Sequence, residues 1–268
     1  MVPAAPPATV DDERAAQGAL FTQGLAKAFG NNVAVAGLTL DVPRGSCFGL
    51  IGPNGSGKTT TMRMCAGLLR PDAGRVEVDG IDVWGDPVEA RRRIGVVPDP
   101  LLLFERLSGI EQLVHTGLLR NMGRAETEER SRGLLEVLGL TDAAEEAIGD
   151  YSHGMRKKLS LAASMLHRPA LLLLDEPFEG VDPVSAMTVR RVLDRYRDAG
   201  GTVVVSSHVM EVLQKFCDHV AIIRQGQVLA AGAIDDLSAE STLEDAFIAI
   251  VGEAPTDAAL LDWLDAPV

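Results

Sequence analysis

A glycine-rich segment that ends in Lys58 and Thr59 constrains this chain more than any other feature of its sequence. The segment has the pattern G-x-x-x-x-G-K-T, follows an apolar run at residues 46–51 and precedes a stretch that predicts a helix from near Lys58. Its glycines allow the backbone to bend so that successive N–H groups face an anion. The N-terminus of the following helix adds the positive end of its dipole. The segment therefore predicts a strand, a phosphate-binding loop and a helix in succession.

The residue types of this loop indicate a nucleoside triphosphate with Mg²⁺ as the ligand. The Lys58 ammonium can reach the β- and γ-phosphates, and the Thr59 hydroxyl can bind the metal. A plain glycine-rich turn is the alternative, and the strand and helix patterns on either side argue against it. The loop residues expected to contact the nucleotide are Gly52, Pro53, Asn54, Gly55, Ser56, Gly57, Lys58, Thr59 and Thr60.

Two further apolar runs end in polar side chains. Four leucines precede Asp175 and Glu176, and the run Thr-Val-Val-Val-Ser-Ser precedes His208. Since ligands bind at the carboxyl ends of the strands in an α/β sheet, we expect these side chains beside the phosphates. Asp175 would hold Mg²⁺ through water, Glu176 would orient and polarise the attacking water, and His208 would donate a hydrogen bond to the γ-phosphate. Without the loop, the carboxylates would more often be a solvated turn or helix cap, and the histidine a structural residue.

Strand and helix patterns divide the chain into regions. Residues 1–18 show no apolar period and predict a mobile tail, and residues 19–45 predict antiparallel strands. Residues 100–166 are mainly helical in pattern, and residues 241–268 predict one or two short helices. Strand followed by helix and strand implies a parallel sheet with covered faces, and so an α/β fold. The other predicted elements are strands at 75–78, 93–97, 170–174, 202–206, 220–223 and 228–231, and a helix at 183–198.

Composition limits the compartment and the partners. With 268 residues, 46% of them hydrophobic, the chain can form one large α/β domain with an inserted lobe. No apolar run approaches the roughly 20 residues that span a bilayer, and the N-terminus lacks the pattern of a secretory signal. Three widely spaced cysteines fit a reduced cytosol better than a disulfide framework or a zinc site. A net charge of −13 predicts no nucleic-acid partner, and indicates either solubility alone or contact with a basic partner.

An ordered set of motifs resembles one known family. After the phosphate-binding loop come Tyr151-Ser-His-Gly-Met155, Leu174-Asp-Glu-Pro177, Gly180-Val-Asp-Pro183 and His208. Their order and spacing resemble the nucleotide-binding domain of ABC transporters over residues 20–232. The resemblance implies a P-loop NTPase fold with a mixed core sheet, an N-terminal antiparallel β subdomain and an inserted α-helical lobe. The nucleotide-binding domain is then expected at 19–240, its lobe at about 100–166, and a short C-terminal helical extension at 241–268.

The resemblance also implies roles for residues outside the loop. Ser152 and Gly154 match the family's signature segment, which touches the γ-phosphate held by the opposite subunit. Asp182 matches the acidic residue of a loop that crosses the interface between two subunits. Phe29 stands where the family stacks an aromatic ring on adenine, although it could also belong to the core. The implied partner is therefore a second nucleotide-binding subunit, preferably a second copy of this chain.

Three residues depart from the family's pattern. Asp99 stands where the family usually has a glutamine that senses Mg²⁺ and the membrane subunit. A carboxylate could still bind Mg²⁺ through water, so Asp99 joins Thr59 and Asp175 as an expected metal ligand. His153 and Met155 replace a glycine and a glutamine of the signature. The Cβ of His153, where none is expected, predicts a local change in the backbone.

Shorter segments of similarity bear on the transported substrate and on the membrane partner. The segments 103–108, 151–155 and 242–247 look like those of ATPases that serve drug, antibiotic or polysaccharide exporters. The resemblance implies an ATPase at the cytoplasmic face of the membrane that powers transport, preferably export, through a separate integral-membrane permease subunit. Residues 99–113 are the expected docking site, because four apolar residues follow a Pro-Asp-Pro turn there. The acidic net charge also suits cytoplasmic loops, which are rich in Lys and Arg.

Two other classes of function stay open at this point. The first is a soluble ATP-driven switch in DNA repair, cluster assembly or translation, although the chain has one such domain and no long heptad run. The second is a nucleotide-binding module that no longer hydrolyses ATP. Lys58, Asp175, Glu176 and His208 argue against that second class, whereas Asp99 argues mildly for it.

Overall fold

The computed structural model describes residues 18–238 together with residues 242, 245, 247, 248 and 252. The predicted tail at 1–18 and the predicted C-terminal extension at 241–268 lie almost entirely outside the described residues, so both stay predictions. The proposed domain limits at 19–240 and the lobe limits at about 100–166 also stay predictions. Among the described residues, no helix is both long enough and apolar enough to cross a lipid bilayer.

Strands and helices alternate through most of the described chain. The strands are β1 (Leu20–Phe29), β2 (Asn32–Val42), β3 (Cys47–Ile51), β4 (Ala73–Val78), β5 (Ile81–Asp82), β6 (Ile94–Val97), β7 (Leu171–Asp175), β8 (Thr202–Ser207), β9 (His219–Arg224) and β10 (Gln227–Ala233). The helices are α1 (Lys58–Cys65), α2 (Pro87–Arg93), α3 (Gly109–Leu119), α4 (Arg124–Val137), α5 (His153–Met165), α6 (Pro183–Asp198), α7 (Met210–Phe216) and α8 (Ile234–Leu237). A short 3₁₀ turn at Ile148–Asp150 precedes α5.

A six-stranded mixed sheet forms the centre of the molecule, in the order β10-β9-β3-β8-β7-β6. All neighbours pair in parallel except β10, which is antiparallel to β9. The strand before the phosphate-binding loop, β3, lies between β8 and β9. The carboxyl ends of β3, β7 and β8 therefore meet at one edge of the sheet, as the sequence predicted.

The central strands are buried on both faces, which explains their continuous apolar runs. In β7, Leu172 and Leu174 pack into the cluster that also contains α5, whereas Leu171 and Leu173 pack into the cluster beneath the other sheet. All four side chains are fully buried. The sheet therefore separates two apolar cores, one shared with the helices and one shared with the antiparallel strands.

A four-stranded antiparallel sheet, in the order β2-β1-β4-β5, packs beside the phosphate-binding loop. The backbone N–H of Ala36 on β2 donates to the carbonyl of Gly226, and the N–H of Gly226 donates to the carbonyl of Ser56 in the loop. This chain of hydrogen bonds holds the second sheet against the loop. The predicted antiparallel β region and the mixed α/β fold are confirmed.

The region between β6 and β7 is helical, and its helix ends follow from local sequence signals. Ser108 caps α3, and its hydroxyl and the Glu111 side chain form a reciprocal capping box. Ser152 caps α5 by accepting a hydrogen bond from the N–H of Met155. At the end of α4, Gly139 has a φ of +64°, and Leu140 donates to the carbonyl of Leu135, which is the Schellman arrangement.

Some element boundaries differ from the sequence prediction. Arg93, predicted as the first residue of a strand, is the last residue of α2. That helix was not predicted, because it is only seven residues long and buries a single side chain, Ala90. The helical pattern predicted for residues 100–166 includes the apolar residues at 134–140, but α4 ends at Val137 because the left-handed Gly139 terminates it. The three cysteines are free thiols, although Cys47 and Cys217 lie in contact with an Sγ–Sγ distance of 3.4 Å.

Two glycines of this helical region provide a matched test of the helix boundary. Gly139→Ala should lower the free energy of unfolding by about 1 kcal/mol, because alanine is strained at a φ of +64°. Gly133→Ala, inside α4 and exposed, should instead raise it by up to about 1 kcal/mol, because alanine favours the helix. Neither new methyl group would meet another atom within 4 Å. Denaturant unfolding of the two variants checks the opposite signs, and equal shifts would contradict the assigned end of α4.

Candidate nucleotide site

The phosphate-binding loop connects the end of β3 to the start of α1. Gly55 and Gly57 have φ values of +78° and +105°, which strain any residue that carries a side chain. A Cβ at Gly57 would lie 2.4 Å from the carbonyl oxygen of Ala34, so the loop packs directly on β2. The helix begins at Lys58, as predicted. The glycines thus shape the loop through both backbone conformation and close packing.

The Lys58 side chain is folded back over the loop. Its ammonium donates hydrogen bonds to the carbonyl oxygens of Gly52, at 2.7 Å, and Pro53, at 3.3 Å. Burial lowers the pKa of Lys58, and the nearby carboxylates of Glu176 and Asp175 oppose that shift. An anion in the loop would further favour the charged ammonium, because opposite charges stabilise each other. Lys58 is therefore placed to bind a phosphate that enters the loop.

A cleft of about 480 Å³ opens beside the loop and collects most of the predicted site residues. The buried hydroxyl of Ser56 has no hydrogen-bond partner among the described residues, which fits a loop whose polar groups bind an added anion. Gly52 and Pro53, predicted to contact the nucleotide, do not line the cleft and instead hold the Lys58 ammonium. The lining residues are Phe29, Asn32, Ala34, Asn54, Gly55, Ser56, Gly57, Lys58, Thr59, Thr60, Asp99, Glu176, Glu179 and His208.

Asp175 and Glu176 are held by a serine on the neighbouring strand. The Ser206 hydroxyl donates to the Asp175 carboxylate, with an O–O distance of 2.5 Å, and accepts a hydrogen bond from the backbone N–H of Glu176 at 3.0 Å. The sheet register explains this contact, because Asp175 at the end of β7 pairs with Ser206 on β8. Asp175 is buried and is not among the residues that line the cleft, whereas Glu176 lines it. The two carboxylates therefore differ in their access to the cleft.

Glu176 has a strained backbone and a histidine partner. Its φ is +46°, in the left-handed region that residues with a side chain rarely adopt. One of its carboxylate oxygens lies 3.1 Å from Nδ1 of His208, and both side chains face the cleft. The strained turn thus aims the carboxylate away from the end of β7 and toward the space beside the loop.

The predicted metal ligands are Thr59, Asp175 and Asp99. Thr59 and Asp99 line the cleft, and Asp175 lies buried next to it. Among the described residues, no group of three His, Cys, Asp or Glu side chains could hold a metal by itself. This donor set fits Mg²⁺, which is commonly held by one or two protein ligands together with substrate phosphates.

Phe29 ends β1 at the rim of the same cleft. Its side chain is 51% exposed, and the Lys27 ammonium lies 5.8 Å from the centre of its ring. Phe29 is thus absent from the buried core, which was the alternative role for it. An exposed ring at the rim of a phosphate site is suitable for stacking on an adenine base.

Comparison with known proteins identifies the family. The sequence pattern of the family described as ABC transporter matches residues 35–179, which is more than half of the chain. This chain belongs to the ABC transporter family. It is an ATP-binding ATPase subunit of that family, and the predicted family and enzyme class are confirmed.

Individual relatives agree with this ABC assignment. The linearmycin resistance ATP-binding protein LnrL of Bacillus subtilis is 35% identical over 218 residues, 81% of this chain and 70% of LnrL. The Nod factor export ATP-binding protein I of Ralstonia nicotianae is 37% identical over 218 residues, 81% of this chain and 68% of that protein. A solved ATP-binding subunit of an ABC transporter has a TM-score of 0.81 and 26% identity, covering 87% of this chain and 99% of its own.

The signature residues of this ABC subunit lie outside the cleft. Ser152 and Gly154 begin α5, and Asp182 caps α6; these residues do not line the space beside the phosphate-binding loop. They are close to each other, since a Cβ at Gly154 would lie 3.6 Å from Oδ2 of Asp182. The backbone N–H groups of Ser185 and Val184 donate hydrogen bonds to the Asp182 carboxylate and lower its pKa. The chain thus carries two separate groups of predicted site residues.

The histidine in the signature, His153, lies at the start of a helix. His153 is the first residue of α5 and is exposed, and a helix start tolerates a Cβ. Its ring packs over Gly180, where a Cβ would lie only 3.0 Å from Cδ2 of the histidine. The departure at His153 therefore depends on a glycine in the loop before α6.

Sequence reasoning missed three side chains of the site. Ser206 was not singled out, although two serines after three valines are an unusual end for a buried strand. Lys157 is buried on α5 and donates a hydrogen bond to the carbonyl of Glu176 at 2.8 Å. Its only signal in the sequence is its position within three consecutive basic residues. Glu179 lines the cleft and had no signal of its own.

Ser206→Ala should lower the kcat for ATP about tenfold with little change in KM. The variant loses two hydrogen bonds, each worth about 1 kcal/mol, that hold Asp175 and Glu176 rather than the nucleotide. Ser207→Ala is the matched control, because that hydroxyl contacts only the backbone of Val209 among the described residues. Steady-state ATPase assays with thermal unfolding of each variant decide this. Equal losses in both variants would contradict the assigned role.

Proposed function

We propose that this ABC subunit hydrolyses MgATP between two copies arranged head to tail, and so powers export through a separate membrane subunit. The observation that carries the proposal is the separation of the predicted site residues into two groups. The loop, Glu176 and His208 share one cleft, whereas Ser152 and Asp182 lie on another exposed part of the surface. A two-fold dimer brings the same pair of surfaces together twice, and so completes two sites.

The chemistry proposed for each site follows from the placement of its side chains. Lys58 binds the phosphates, and Phe29 stacks on the base. Glu176 accepts a hydrogen bond from the attacking water and orients it toward the γ-phosphate. His208 faces the Glu176 carboxylate through Nδ1, and a ring protonated on both nitrogens can donate to that carboxylate from Nδ1 and to the phosphate from Nε2. Mg²⁺ held by Thr59 and, through water, by Asp175 and Asp99 would neutralise charge on the phosphates.

The second copy supplies the remaining contacts in this proposal. The hydroxyl of Ser152 accepts a hydrogen bond from its own helix, so its proton is available to donate to a γ-phosphate oxygen. Gly154 leaves room for close approach near the N-terminus of α5, which is 13 residues long and favours an anion. Asp182 lies on the same surface and would face the partner subunit. An ATP molecule thus joins the two chains.

Export is the direction of transport that the names of the relatives support. LnrL is named for linearmycin resistance, and the Ralstonia nicotianae protein is named for Nod factor export. The transported compound would be recognised by the membrane subunit. We therefore place this chain at the cytoplasmic face of the membrane, bound to that permease.

A groove between α2 and α3 supports docking of the permease near the predicted segment 99–113. Its volume is about 560 Å³, and exposed apolar side chains at Leu68, Val88, Leu102 and Leu119 line it. Phe104, expected to take part, lies outside this lining and packs edge-on against the ring of His115. An amphipathic helix of the partner could bury its apolar face in such a groove.

The local charge of the groove differs from the charge of the whole chain. Its ionisable lining residues are Arg91, Arg92 and Arg120, all of them cationic. Arg92 is well exposed, with 67% of its side chain accessible. The acidic net charge suggests a basic partner segment for the chain as a whole, whereas these three arginines favour acidic groups on a partner segment that enters this groove.

Glu176→Gln should reduce ATP turnover at least about 100-fold while ATP binding is retained, because an amide of the same shape cannot accept the proton. With hydrolysis blocked, MgATP should convert this variant from monomer to dimer. Steady-state ATPase assays, binding of a fluorescent ATP analogue and light scattering after gel filtration measure the three properties.

Lys58→Ala is the control for this experiment, since it removes a charge-assisted phosphate contact and should lose binding itself. A Glu176→Gln variant that keeps most of its turnover would contradict the role of Glu176. A variant that binds ATP and stays monomeric at high concentration would contradict the shared site for two identical copies.

Leu102→Cys should cross-link to a cytoplasmic loop of the co-purified permease, because Leu102 is 74% exposed in the groove. Val137→Cys, on α4 and 52% exposed, is the matched control and should not cross-link. Both cysteine variants also carry Cys217→Ser, which removes the one partly exposed native thiol among the described residues. Mass spectrometry of the cross-linked band identifies the loop. Cross-linking from Val137→Cys alone would place the docking surface elsewhere.

A further inference from the structure

Lys157 is a buried cation that reaches from the helical lobe into the nucleotide site. It lies on the second turn of α5, five residues after the cap at Ser152, and its side chain is 2% exposed. A buried ammonium is costly unless it is paired and hydrogen-bonded. Its partners are therefore informative about its role.

The partners of Lys157 belong to two different parts of the site. Its ammonium donates to the backbone carbonyl of Glu176 at 2.8 Å and lies 3.9 Å from a carboxylate oxygen of Asp99. Asp99 is in turn tied to α1, since its own carbonyl accepts a hydrogen bond from Arg63 at 2.9 Å. One side chain of α5 thus contacts both the strained residue after β7 and the segment where the chain enters the lobe.

With the hydrogen bond from Lys157, both backbone polar groups of Glu176 are held by side chains. Ser206 on β8 holds the N–H of Glu176, and Lys157 on α5 holds the carbonyl. A residue with side chain at a φ of +46° persists only where its surroundings fix it. The position of the Glu176 carboxylate therefore depends on where α5 lies relative to the sheet.

The approach to Asp99 solves a charge problem that the sequence raised. A glutamine at this position would be neutral, whereas the carboxylate of Asp99 lines the same cleft as the phosphate-binding loop. A carboxylate near a triphosphate is repelled unless a cation lies beside it. The buried ammonium of Lys157, 3.9 Å from a carboxylate oxygen of Asp99, supplies that cation.

We propose that Lys157 is a positioning residue for ATP hydrolysis, which fixes the Glu176 peptide and neutralises Asp99, so that an ion pair replaces the neutral glutamine of the family. The inference rests on the proposed ATPase mechanism. A rotation of the lobe that displaces α5 would loosen Glu176 and free the Asp99 carboxylate together. The charge state around Mg²⁺ would then report the position of the lobe.

The test is a double-mutant cycle of Lys157→Gln and Asp99→Gln, assayed for kcat, ATP binding and the Mg²⁺ dependence of the ATPase. Lys157→Gln removes the charge but keeps an N–H group that can donate to the carbonyl of Glu176. It should lower kcat about fivefold to tenfold, with ATP affinity changed less than about twofold. The half-saturating Mg²⁺ concentration should fall several-fold, because the freed Asp99 carboxylate attracts the metal.

The double variant Lys157→Gln/Asp99→Gln decides between pairing and a merely structural role. It should recover most of the lost kcat and abolish the fall in the half-saturating Mg²⁺ concentration that Lys157→Gln causes, because no unpaired carboxylate remains. Additive losses, or a Mg²⁺ dependence that Lys157→Gln does not shift, would overturn the proposal. Lys158→Gln is the matched control, a neighbouring lysine that contacts neither Asp99 nor Glu176 among the described residues, and it should behave as wild type.

Two further measurements keep the outcomes distinct. If Lys157→Gln fails to fold, as thermal unfolding would show, Asp99→Gln must rescue its folding, since the proposal attributes the damage to an unpaired charge; a failure to rescue overturns it. A wild-type chain without ATPase activity, or an active Glu176→Gln variant, would instead overturn the proposed function itself.

Discussion

The close packing of the phosphate-binding loop against the antiparallel sheet is the constraint on which the rest of the site depends. At Gly57 and Gly226, an added Cβ would lie 2.4 Å and 2.6 Å from backbone atoms of β2. Only glycine permits this approach, and the hydrogen bonds from Ala36 through Gly226 to Ser56 fix it. Because β1 pairs with β2, the contact also carries Phe29 to the rim of the cleft. The residues proposed to contact the base and the phosphates are thus positioned by one interface between two sheets.

The sequence could predict the site wherever the chemistry lies at the end of a strand. Parallel strands end at the same edge of the sheet, so the order of the motifs alone brings Glu176 and His208 beside Lys58. It could not predict that Ser206 holds Asp175, because that contact requires β8 to be the neighbour of β7 in a particular register. It could not predict Lys157 either, since a contact from a helix to a strand end depends on tertiary packing. The predicted residues lie at strand ends, whose common edge follows from a parallel sheet. The missed residues depend on which strand or helix packs beside them.

The loop itself shows the limit of a motif as a list of ligands. Gly52 and Pro53 belong to the pattern, yet their carbonyls are oriented toward the Lys58 ammonium. The loop thus offers carbonyl oxygens to its own lysine and leaves the later residues to line the cleft. Membership of the pattern therefore does not by itself make a residue part of the cleft lining.

The ion pair of Lys157 and Asp99 differs from a neutral glutamine contact in how it responds to water. The Asp99 side chain is 46% exposed, and its carboxylate lies 3.9 Å from the Lys157 ammonium. In the single chain, solvent therefore weakens the attraction between these two charges. Closure of a second subunit over the cleft would exclude that water and lower the local dielectric. The attraction between the two charges then increases, whereas a neutral hydrogen bond would change much less. In the proposed dimer, closure therefore strengthens the link between α5 and the Glu176 peptide at the moment when the water must be oriented.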